Sequence, residues 1–277
     1  MERTDMLKFF KDKKLDKITP EDVEDYRTWR ANQKSPKTNK VLRPATTNRE
    51  LACLKALFNF FIKGDVLLKN PVSKVKFFNE GNEQMRTLSF DEQQKYLATA
   101  SQPLRDAAIL MLETGMRPEA VYRIRVENIN LDGGFIFNPY GKTKAAKRKV
   151  PLNKTSLEVV TRRMNAVNSL YLFPSPDDLT KPVVKLNNAH YGALKRSSLK
   201  PFRLYDPRHT WATRAAMSGI DLVTLAAMLG HSRIQMGLRY AHPTEQHQAD
   251  TARRLEEYNA ARAIAEVEQG SAASLVN

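Results

Sequence analysis

The feature that most constrains the fold is a series of helix-start signals, interrupted by one stretch in which apolar residues occur at every second position. Ser89-Phe90-Asp91-Glu92 has the pattern of a capping box, in which serine and glutamate side chains bind each other's backbone amides. Thr47-Asn48-Arg49-Glu50 has the same pattern, and Thr19 precedes a proline and two acids. Between residues 131 and 152, apolar residues instead alternate around glycine turns, which is typical of a strand pair or small antiparallel sheet. The sequence therefore predicts a mainly α fold, of α+β type, with one small sheet.

Helical periodicity and a polar break divide the chain into two parts. Residues 1–77 predict a small helical domain with a basic loop at 33–46, and the polar, glycine-containing residues 78–86 predict a linker. Residues 87–242 predict a second, mostly helical domain, and 243–277 a C-terminal helix and tail. The predicted helices cover 20–32, 47–64, 89–100, 104–114, 119–126, 155–168, 187–198, 207–218, 221–229 and 243–266.

The charge of the chain indicates a polyanionic partner. Forty-five Lys and Arg residues against thirty Asp and Glu give a net charge of +15 and an isoelectric point near 9.8. Such an excess favours nucleic acid, because contacts to phosphates release condensed counterions and attract the partner over distance. A basic surface without a partner and an acidic membrane surface are the alternatives at this point.

Composition disfavours membrane, secreted and disulfide-containing proteins. No stretch approaches the about 20 apolar residues that a membrane helix needs, and the charged N-terminus lacks the apolar core of a secretion signal. The single cysteine, Cys53, excludes an intramolecular disulfide and a cysteine-based zinc cluster. Its place in the apolar run 51–61 predicts a buried side chain, with a reactive thiol as the alternative. We therefore expect a cytoplasmic protein without a structural metal.

Residues capable of catalysis occur in five short blocks. The sequence has none of the patterns GxGxxG, GxxxxGK[ST], HExxH or GxSxG, and no His and carboxylate cluster with metal-ligand spacing. We therefore expect no metal and no cofactor, and catalysis would depend on arginine, lysine, histidine and tyrosine. These residues lie in the blocks Glu113–Glu119 (ETGMRPE), Gly141–Leu152 (GKTKAAKRKVPL), Tyr205–Thr213 (YDPRHTWAT), Met228–Ser232 (MLGHS) and Leu238–His242 (LRYAH).

In this order and spacing, the five blocks resemble the catalytic domain of tyrosine recombinases, which include phage integrases and Xer-like resolvases. Residues 46–71 also resemble the end of that family's core-binding domain, so the resemblance covers roughly residues 15–245. It implies a C-shaped clamp, in which residues 1–77 are the core-type DNA-binding domain and residues 87–242 the catalytic domain. It also implies a bacterial or phage-encoded site-specific recombinase that cuts DNA through a covalent 3′-phosphotyrosyl intermediate.

The resemblance also implies a role for one residue in each block. Tyr240 would be the nucleophile, since a phenolate can form a phosphodiester with the enzyme. Arg117 and Arg208 would hold the phosphate oxygens with forked guanidiniums, and His231 would be a further donor. Lys142 would protonate the leaving 5′ oxygen. Packing, surface phosphate contacts and helix capping are competing interpretations of the first four. For Lys142 the alternative is a shift of register to a neighbouring lysine.

Three residues are supporting rather than primary candidates. Tyr205 stands three residues before the second arginine, where the family usually has His or Lys, and a phenol with a pKa near 10 is a poor base. Tyr205 could instead hydrogen-bond the phosphate or the nucleophile. The position three after the first arginine, often acidic in the family, is Ala120, and Glu119 one residue earlier is the candidate substitute. His209 is expected to pack behind Arg208 rather than to act in catalysis.

The basic segments and the C-terminal helix are the expected contacts with partners. The predicted DNA-binding residues are Lys37, Lys40, Arg43, Arg49, Lys144, Lys147 and Arg148. The helix at 243–266 is expected to dock on a neighbouring protomer, giving a homotetramer on two double-stranded DNA sites, or alternatively to pack on its own chain. An accessory directionality factor is a further candidate partner. Two other functions fit the same residues: a DNA-binding protein that has lost cleavage, and a nicking-closing topoisomerase.

Overall fold

The computed structural model describes residues 4–36, 38–80, 85–141, 143–240, 249 and 251–262. The chain divides into two compact units, Met1–Gln84 and Met85–Asn277. The division falls inside the polar segment 78–86 that the sequence predicts as a linker. Each unit contains its own buried cluster of apolar side chains.

The first unit is helical. Its elements are α1 (Thr4–Phe10), α2 (Pro20–Ala31), α3 (Pro44–Lys63) and 3-10 turns at Leu15–Lys17 and Pro71–Lys74. The predicted start of α2 is confirmed. The Thr19 side chain accepts a hydrogen bond from the Asp22 amide at 3.2 Å, and the Asp22 carboxylate accepts one from the Thr19 amide at 2.8 Å. The buried faces of these elements form a core of Ile18, Val23, Tyr26, Leu51, Leu54, Phe58, Val72 and Val75.

The predicted capping box at Thr47 is wrong. α3 begins one turn earlier, at Pro44, because proline is preorganised for the first helical position and needs no amide hydrogen bond there. Thr47 and Asn48 are buried inside the helix, and the Asn48 side chain exchanges two hydrogen bonds of 2.9 Å with the backbone of Phe78. Cys53 lies on the exposed face of α3, so the expectation of a buried cysteine is also wrong.

The second unit is mostly helical and contains one small antiparallel sheet, as the sequence predicts. The strands β1 (Ile129–Asn130), β2 (Phe135–Asn138) and β3 (Arg148–Pro151) pair in the order β1-β2-β3, with buried Ile136 opposite buried Val150. The helices are α4 (Phe90–Thr99), α5 (Leu104–Thr114), α6 (Pro118–Tyr122), α7 (Lys154–Ala166), α8 (Asn187–Ser197), α9 (Asp206–Met217), α10 (Leu222–Leu229) and α11 (Gln235–Leu238).

Two helix predictions in this unit need correction. α6 ends at Tyr122 rather than at residue 126, and the chain continues into a 3-10 turn at Val126–Asn128. The short helix α11 is absent from the prediction, since a single turn carries too little periodicity to detect. Of the predicted helix at 243–266, residues 251–262 are helical and exposed. The remainder, apart from residue 249, lies outside the described residues.

The buried helix α5 organises the second unit and places the first arginine block. It packs against α7 and α9, and eight of its eleven residues are buried. It ends at Gly115, which adopts the left-handed conformation with φ 65° and allows the chain to turn back. A Cβ at this position would overlap the indole ring of Trp211 on α9. Only glycine therefore fits, and the turn holds the chain entering Arg117 close to α9.

Among the described residues, no helix combines the length and the apolar character that crossing a bilayer requires.

Candidate active site

The helix α9 carries two neighbouring side chains, Arg208 and His209, and buries both. It begins after Tyr205, and its first residue, Asp206, accepts a hydrogen bond of 2.7 Å from the Arg203 amide. Both flanks of the helix are covered, so that Arg208 is fully buried and His209 is 7% exposed. Successive residues on a helix point about 100° apart. Two such neighbours can both be buried only because protein surrounds α9 on more than one side.

Arg208 joins the C-terminal ends of two helices. Its guanidinium donates hydrogen bonds to the carbonyl of Gly115, after α5, and to the carbonyl of Leu229, the last residue of α10, at 2.9 Å. These carbonyls carry the partial negative charge of a helix C-terminus, which stabilises a buried cation. Burial lowers the pKa of Arg208 to about 10, so the group stays charged at neutral pH. Its Nε atom is buried and has no hydrogen-bond partner among the described residues.

His231 follows the left-handed Gly230 that ends α10, and its ring faces Arg208. The Arg208 Nη2 atom lies 3.2 Å from His231 Nε2 and donates to it, which leaves the ring proton on Nδ1. Burial, followed by the charges of Arg208 and Arg117, lowers the pKa of His231 to about 4. The ring is therefore neutral at neutral pH. Its Nδ1 atom is buried without a hydrogen-bond partner in the described part of the chain.

Tyr240 is buried against both histidines. The residue is 3% exposed, and its backbone amide donates to the Gly237 carbonyl at 2.9 Å, one turn back in α11. The Tyr240 hydroxyl lies 2.8 Å from His209 Nδ1, and its ring stacks on His231 with an interplanar angle of 12°. Burial raises the pKa of Tyr240, while the nearby arginines, Arg208 first, act in the opposite direction.

These side chains line a cleft of about 340 Å³. Five of the predicted site residues border it, and so do three that sequence reasoning missed: Arg203, Met236 and Arg239. Arg239 lies inside the last block and Arg203 two residues before the block that begins at Tyr205, but one more basic residue is a weak signal in a chain with a charge of +15. The full lining is Arg117, Arg203, Tyr205, His209, His231, Met236, Arg239 and Tyr240. A phenol surrounded by guanidiniums and neutral imidazoles suits an anion such as a phosphodiester.

Arg148 is one of the predicted DNA-contacting residues, but its side chain is not freely exposed. It is half-buried on β3 and donates from Nε to the Met228 carbonyl at 2.8 Å. Burial, followed by the charges of Arg208 and Arg117, lowers the pKa of Arg148 to about 10. Arg148 therefore bonds within the second unit and lies close enough to Arg208 and Arg117 for their charges to act on it.

The other predicted residues lie away from the cleft or outside the described residues. Glu119 is exposed on α6 and does not line the cleft. In the first unit Lys40, Arg43 and Arg49 are exposed, and in the second unit Lys147 is exposed. Lys142 and Lys37 are not among the described residues, and of Lys144 the structure describes the backbone only, in a 3-10 turn at Lys144–Ala146.

Comparison with known proteins identifies the family. Residues 82–247, more than half of the chain, match the phage integrase family, and the chain therefore belongs to it. The integrase of Salmonella phage P22 is 28% identical over 244 residues, which are 82% of this chain and 62% of that protein. A tyrosine recombinase of Agathobacter rectalis is 25% identical over 274 residues, 90% of this chain and 86% of that protein. The chain thus spans less than two thirds of the phage P22 integrase.

Solved structures confirm the fold. The Tn1549 transposon integrase in complex with a circular intermediate DNA superposes with a TM-score of 0.74 at 19% identity, over 91% of each chain. A lambda integrase dimer bound to a COC′ core site gives a TM-score of 0.69 at 18% identity, over 86% of this chain and 85% of that one. The fold is therefore that of the tyrosine recombinases, as the five sequence blocks predict.

Proposed function

We propose that this protein is a site-specific DNA recombinase that cuts and rejoins strands through Tyr240. The observation that carries the proposal is the placement of the Tyr240 hydroxyl, buried beside His209 and His231 in a cleft bordered by arginines. The charges of Arg208, Arg239 and Arg117 favour the phenolate form of Tyr240, which is the form that attacks phosphorus. It is well placed to attack a phosphodiester held by those cations.

Each residue of the site has a role in this reaction. Arg117 and Arg208 hold the non-bridging oxygens of the phosphodiester, and their charge stabilises the transition state as the phosphorus gains a fifth oxygen. His231 is neutral, with a pKa of about 4, and offers its Nδ1 proton to the same phosphate. The buried Arg208 Nε and His231 Nδ1 atoms, both without partners among the described residues, are donors that a bound phosphate would satisfy.

The strand transfer conserves the phosphodiester bond energy. The Tyr240 oxygen forms a bond to phosphorus as the bond from phosphorus to the 5′ oxygen breaks. We assign the protonation of that leaving oxygen to Lys142, on the family resemblance. The 3′-phosphotyrosyl product keeps the energy of the broken bond, so a 5′-hydroxyl can reverse the step without an energy cofactor.

The partner we propose is double-stranded DNA, bound as a homo-oligomer. Related proteins have been solved as a lambda integrase dimer on a core site and a lambda integrase tetramer on a Holliday junction. We assign docking on a neighbouring protomer to the exposed helical residues 251–262. We assign recognition of the DNA sequence to the first unit. Phosphate contacts are assigned to the exposed Lys40, Arg43, Arg49 and Lys147. An accessory directionality factor would act on this assembly, and the cytoplasm is the expected compartment.

A cleavage-trapping experiment tests the function. The probe is a nicked duplex that carries the site selected by the wild-type protein from a random-sequence DNA pool, so that a short 5′ fragment diffuses away after cleavage. We expect the wild type to form a covalent protein–DNA adduct, and Tyr240→Phe to bind the duplex without forming one. An adduct in Tyr240→Phe would show that another residue is the nucleophile.

The same probe separates the alternative functions. A wild-type protein that binds the duplex and never forms an adduct would be a DNA-binding protein without cleavage. Tyr205 and Ala120, which differ from the usual residues of the family at these positions, would then be signs that cleavage has been lost. Exchange of strands between two copies of the site supports a recombinase, whereas relaxation of supercoiled DNA without exchange would indicate a nicking-closing enzyme.

A further inference from the structure

The reaction requires a group that takes the proton of Tyr240, and the usual family residue is missing. Burial raises the pKa of Tyr240, so the free protein holds a protonated phenol at neutral pH. The position that usually carries His or Lys is Tyr205, whose own phenol is a poor proton acceptor. The proton must therefore pass to a different side chain or to solvent.

We infer that His209 is the proton acceptor of Tyr240 in this chain, taking over the role that Tyr205 cannot fill. The inference rests on the proposed function. The geometry carries it: His209 Nδ1 lies 2.8 Å from the Tyr240 hydroxyl, within the range for direct proton transfer. The two rings lie 5.8 Å apart at an interplanar angle of 40°, and both residues are buried.

The other histidine beside Tyr240 does not fit this role. The His231 ring lies nearly parallel to the Tyr240 ring at a centroid distance of 6.4 Å, and in the described part of the chain neither of its nitrogens bonds the Tyr240 hydroxyl. Its Nε2 lone pair already accepts a hydrogen bond from Arg208 at 3.2 Å, and its Nδ1 atom carries the proton. His231 is therefore a donor, and His209 is the acceptor.

The surroundings of His209 keep its ring unprotonated in the free protein. Burial is the main reason that the pKa of His209 falls to about 4, and Arg203, Arg208 and Arg239 lower it further while Asp206 opposes them. The ring is therefore neutral at neutral pH, and in the tautomer with the proton on Nε2 its Nδ1 lone pair accepts the hydrogen bond of the Tyr240 hydroxyl. A phosphodiester held among these arginines brings a negative charge that offsets them. DNA binding should therefore raise the pKa of His209 and strengthen it as a base at the moment of cleavage.

The proton transfers balance in both directions. As the Tyr240 oxygen bonds to phosphorus, its proton passes to His209 Nδ1, and the departing 5′ oxygen takes a proton from the general acid. In rejoining, the 5′-hydroxyl attacks phosphorus and returns its proton to that acid's conjugate base. The imidazolium of His209 then protonates the released phenolic oxygen.

A sulfur-substituted substrate separates the base from the acid. The selected duplex is made with oxygen and with sulfur as the 5′ leaving atom, because a departing thiolate needs no proton from an acid. The test variant is His209→Asn, whose Oδ1 atom can still accept the Tyr240 hydrogen bond but cannot take up the proton. We expect His209→Asn to slow adduct formation by about 100-fold or more on both duplexes, whereas Lys142→Ala slows only the oxygen duplex. Wild-type cleavage of the sulfur duplex by His209→Asn would overturn the inference.

The pH profile distinguishes proton acceptance from positioning. We expect the wild-type cleavage rate to level off near neutral pH, once His209 is unprotonated in the DNA complex. In His209→Asn only solvent can take the proton, so its rate should keep rising by about tenfold per pH unit. A variant that is slow but keeps the wild-type profile would show that His209 only positions Tyr240, and would overturn the inference.

Two controls make the outcome independent of folding and of the proposed function. Duplex binding by His209→Asn at wild-type affinity shows that the variant is folded. If it does not fold, nitrogen NMR of the wild type, with His209 assigned through its response to Tyr240→Phe, answers the question instead. A proton on Nδ1 rather than Nε2 at neutral pH would overturn the inference. A wild type that forms no adduct refutes the function, whereas a wild-type adduct with an unimpaired His209→Asn refutes the role of His209 alone.

Discussion

The second unit contains two buried tyrosine–histidine pairs that share the same hydrogen bond. In one, the Tyr96 hydroxyl lies 2.7 Å from His190 Nδ1, and in the other, the Tyr240 hydroxyl lies 2.8 Å from His209 Nδ1. Burial raises the pKa of both tyrosines and lowers that of both histidines. The bond alone therefore does not distinguish a structural pair from a reactive one.

The surroundings of the two pairs differ. His190 donates from Nε2 to the Phe202 carbonyl at 2.8 Å, so both ring nitrogens are satisfied and the tautomer is determined. Tyr96, His190 and Phe202 pack edge to face in the core. Arg86 lies over the Phe202 ring at 5.5 Å, and among the described residues no arginine lies over the rings of Tyr96 or His190. The Tyr240 pair instead borders a cleft lined by arginines. A reactive tyrosine is thus defined by access to an anion and by positive charge.

The largest effect should follow from weakening that positive charge. In Arg208→Lys, a single ammonium cannot bind both the Gly115 and Leu229 carbonyls and still present a fork to phosphate. We expect adduct formation in a single-turnover assay to fall by about 100- to 1000-fold, with the Tyr96 pair and the core around it unchanged.

Arg214→Lys is the matched control for this substitution. Arg214 lies on the same helix and donates to Gln93 at 2.6 Å and to the Leu88 carbonyl at 3.0 Å, whereas Arg208 donates to His231 and its charge acts on Tyr240. We expect nearly wild-type cleavage. If the control were as slow as Arg208→Lys, the loss would reflect the packing of α9 rather than charge at the phosphate.

A smaller effect is expected on the pH dependence of stability. The pKa of His209 is about 4 in the folded protein and about 6.5 when unfolded, so the unfolded chain binds the proton first as the pH falls. The stability that the neutral, buried His209 contributes is fully present above pH 6.5 and is lost as the pH falls towards 4. It amounts to about 2–3 kcal/mol between pH 7 and pH 4.5. Removing His209 should therefore make the free energy of unfolding less dependent on pH.

Urea unfolding at several pH values measures this, with Trp211 fluorescence in a Trp29→Phe background reporting on the second unit alone. We expect a flatter pH dependence in His209→Asn than in the background protein. His190→Asn should flatten it as well, since burial also lowers the pKa of His190, but should leave the cleavage pH profile unchanged. An unaltered dependence in His209→Asn would mean that its pKa is not lowered in the folded protein.

Short-range signals in the sequence predict most of the second unit. The Ser89 capping box is confirmed, and the expected end of α5 at Gly115 is confirmed by a left-handed glycine. The alternation around residues 131–152 correctly predicts the sheet. The Thr47 box fails because Pro44, three residues earlier, also begins a helix well, and tertiary contacts of Asn48 then use its side chain elsewhere.

The site is predicted less completely, and for a different reason. The spacing of the blocks identifies Arg117, Arg208, His231 and Tyr240 as candidates, and the fold brings all of them to one place. The sequence does not reveal that His209 bonds the Tyr240 hydroxyl. That contact depends on residues 31 positions apart and on protein covering two sides of α9. Helical periodicity indicates one buried face, so a second buried neighbour of Arg208 is interpreted as packing.

The smallest effect on the cleavage rate is expected from a substitution of Tyr205. It tests whether a second base beside the Tyr240–His209 pair can act in place of His209. Tyr205 lines the cleft with its ring 5.0 Å from that of His209, so an imidazole there would be a second base near the first. With His209 present, we expect Tyr205→His to be active and to change the cleavage rate by no more than about threefold. In the His209→Asn background the same change should recover part of the lost rate. An inactive Tyr205→His would show instead that the phenol has a specific role, for which its contact with Arg208 is the candidate.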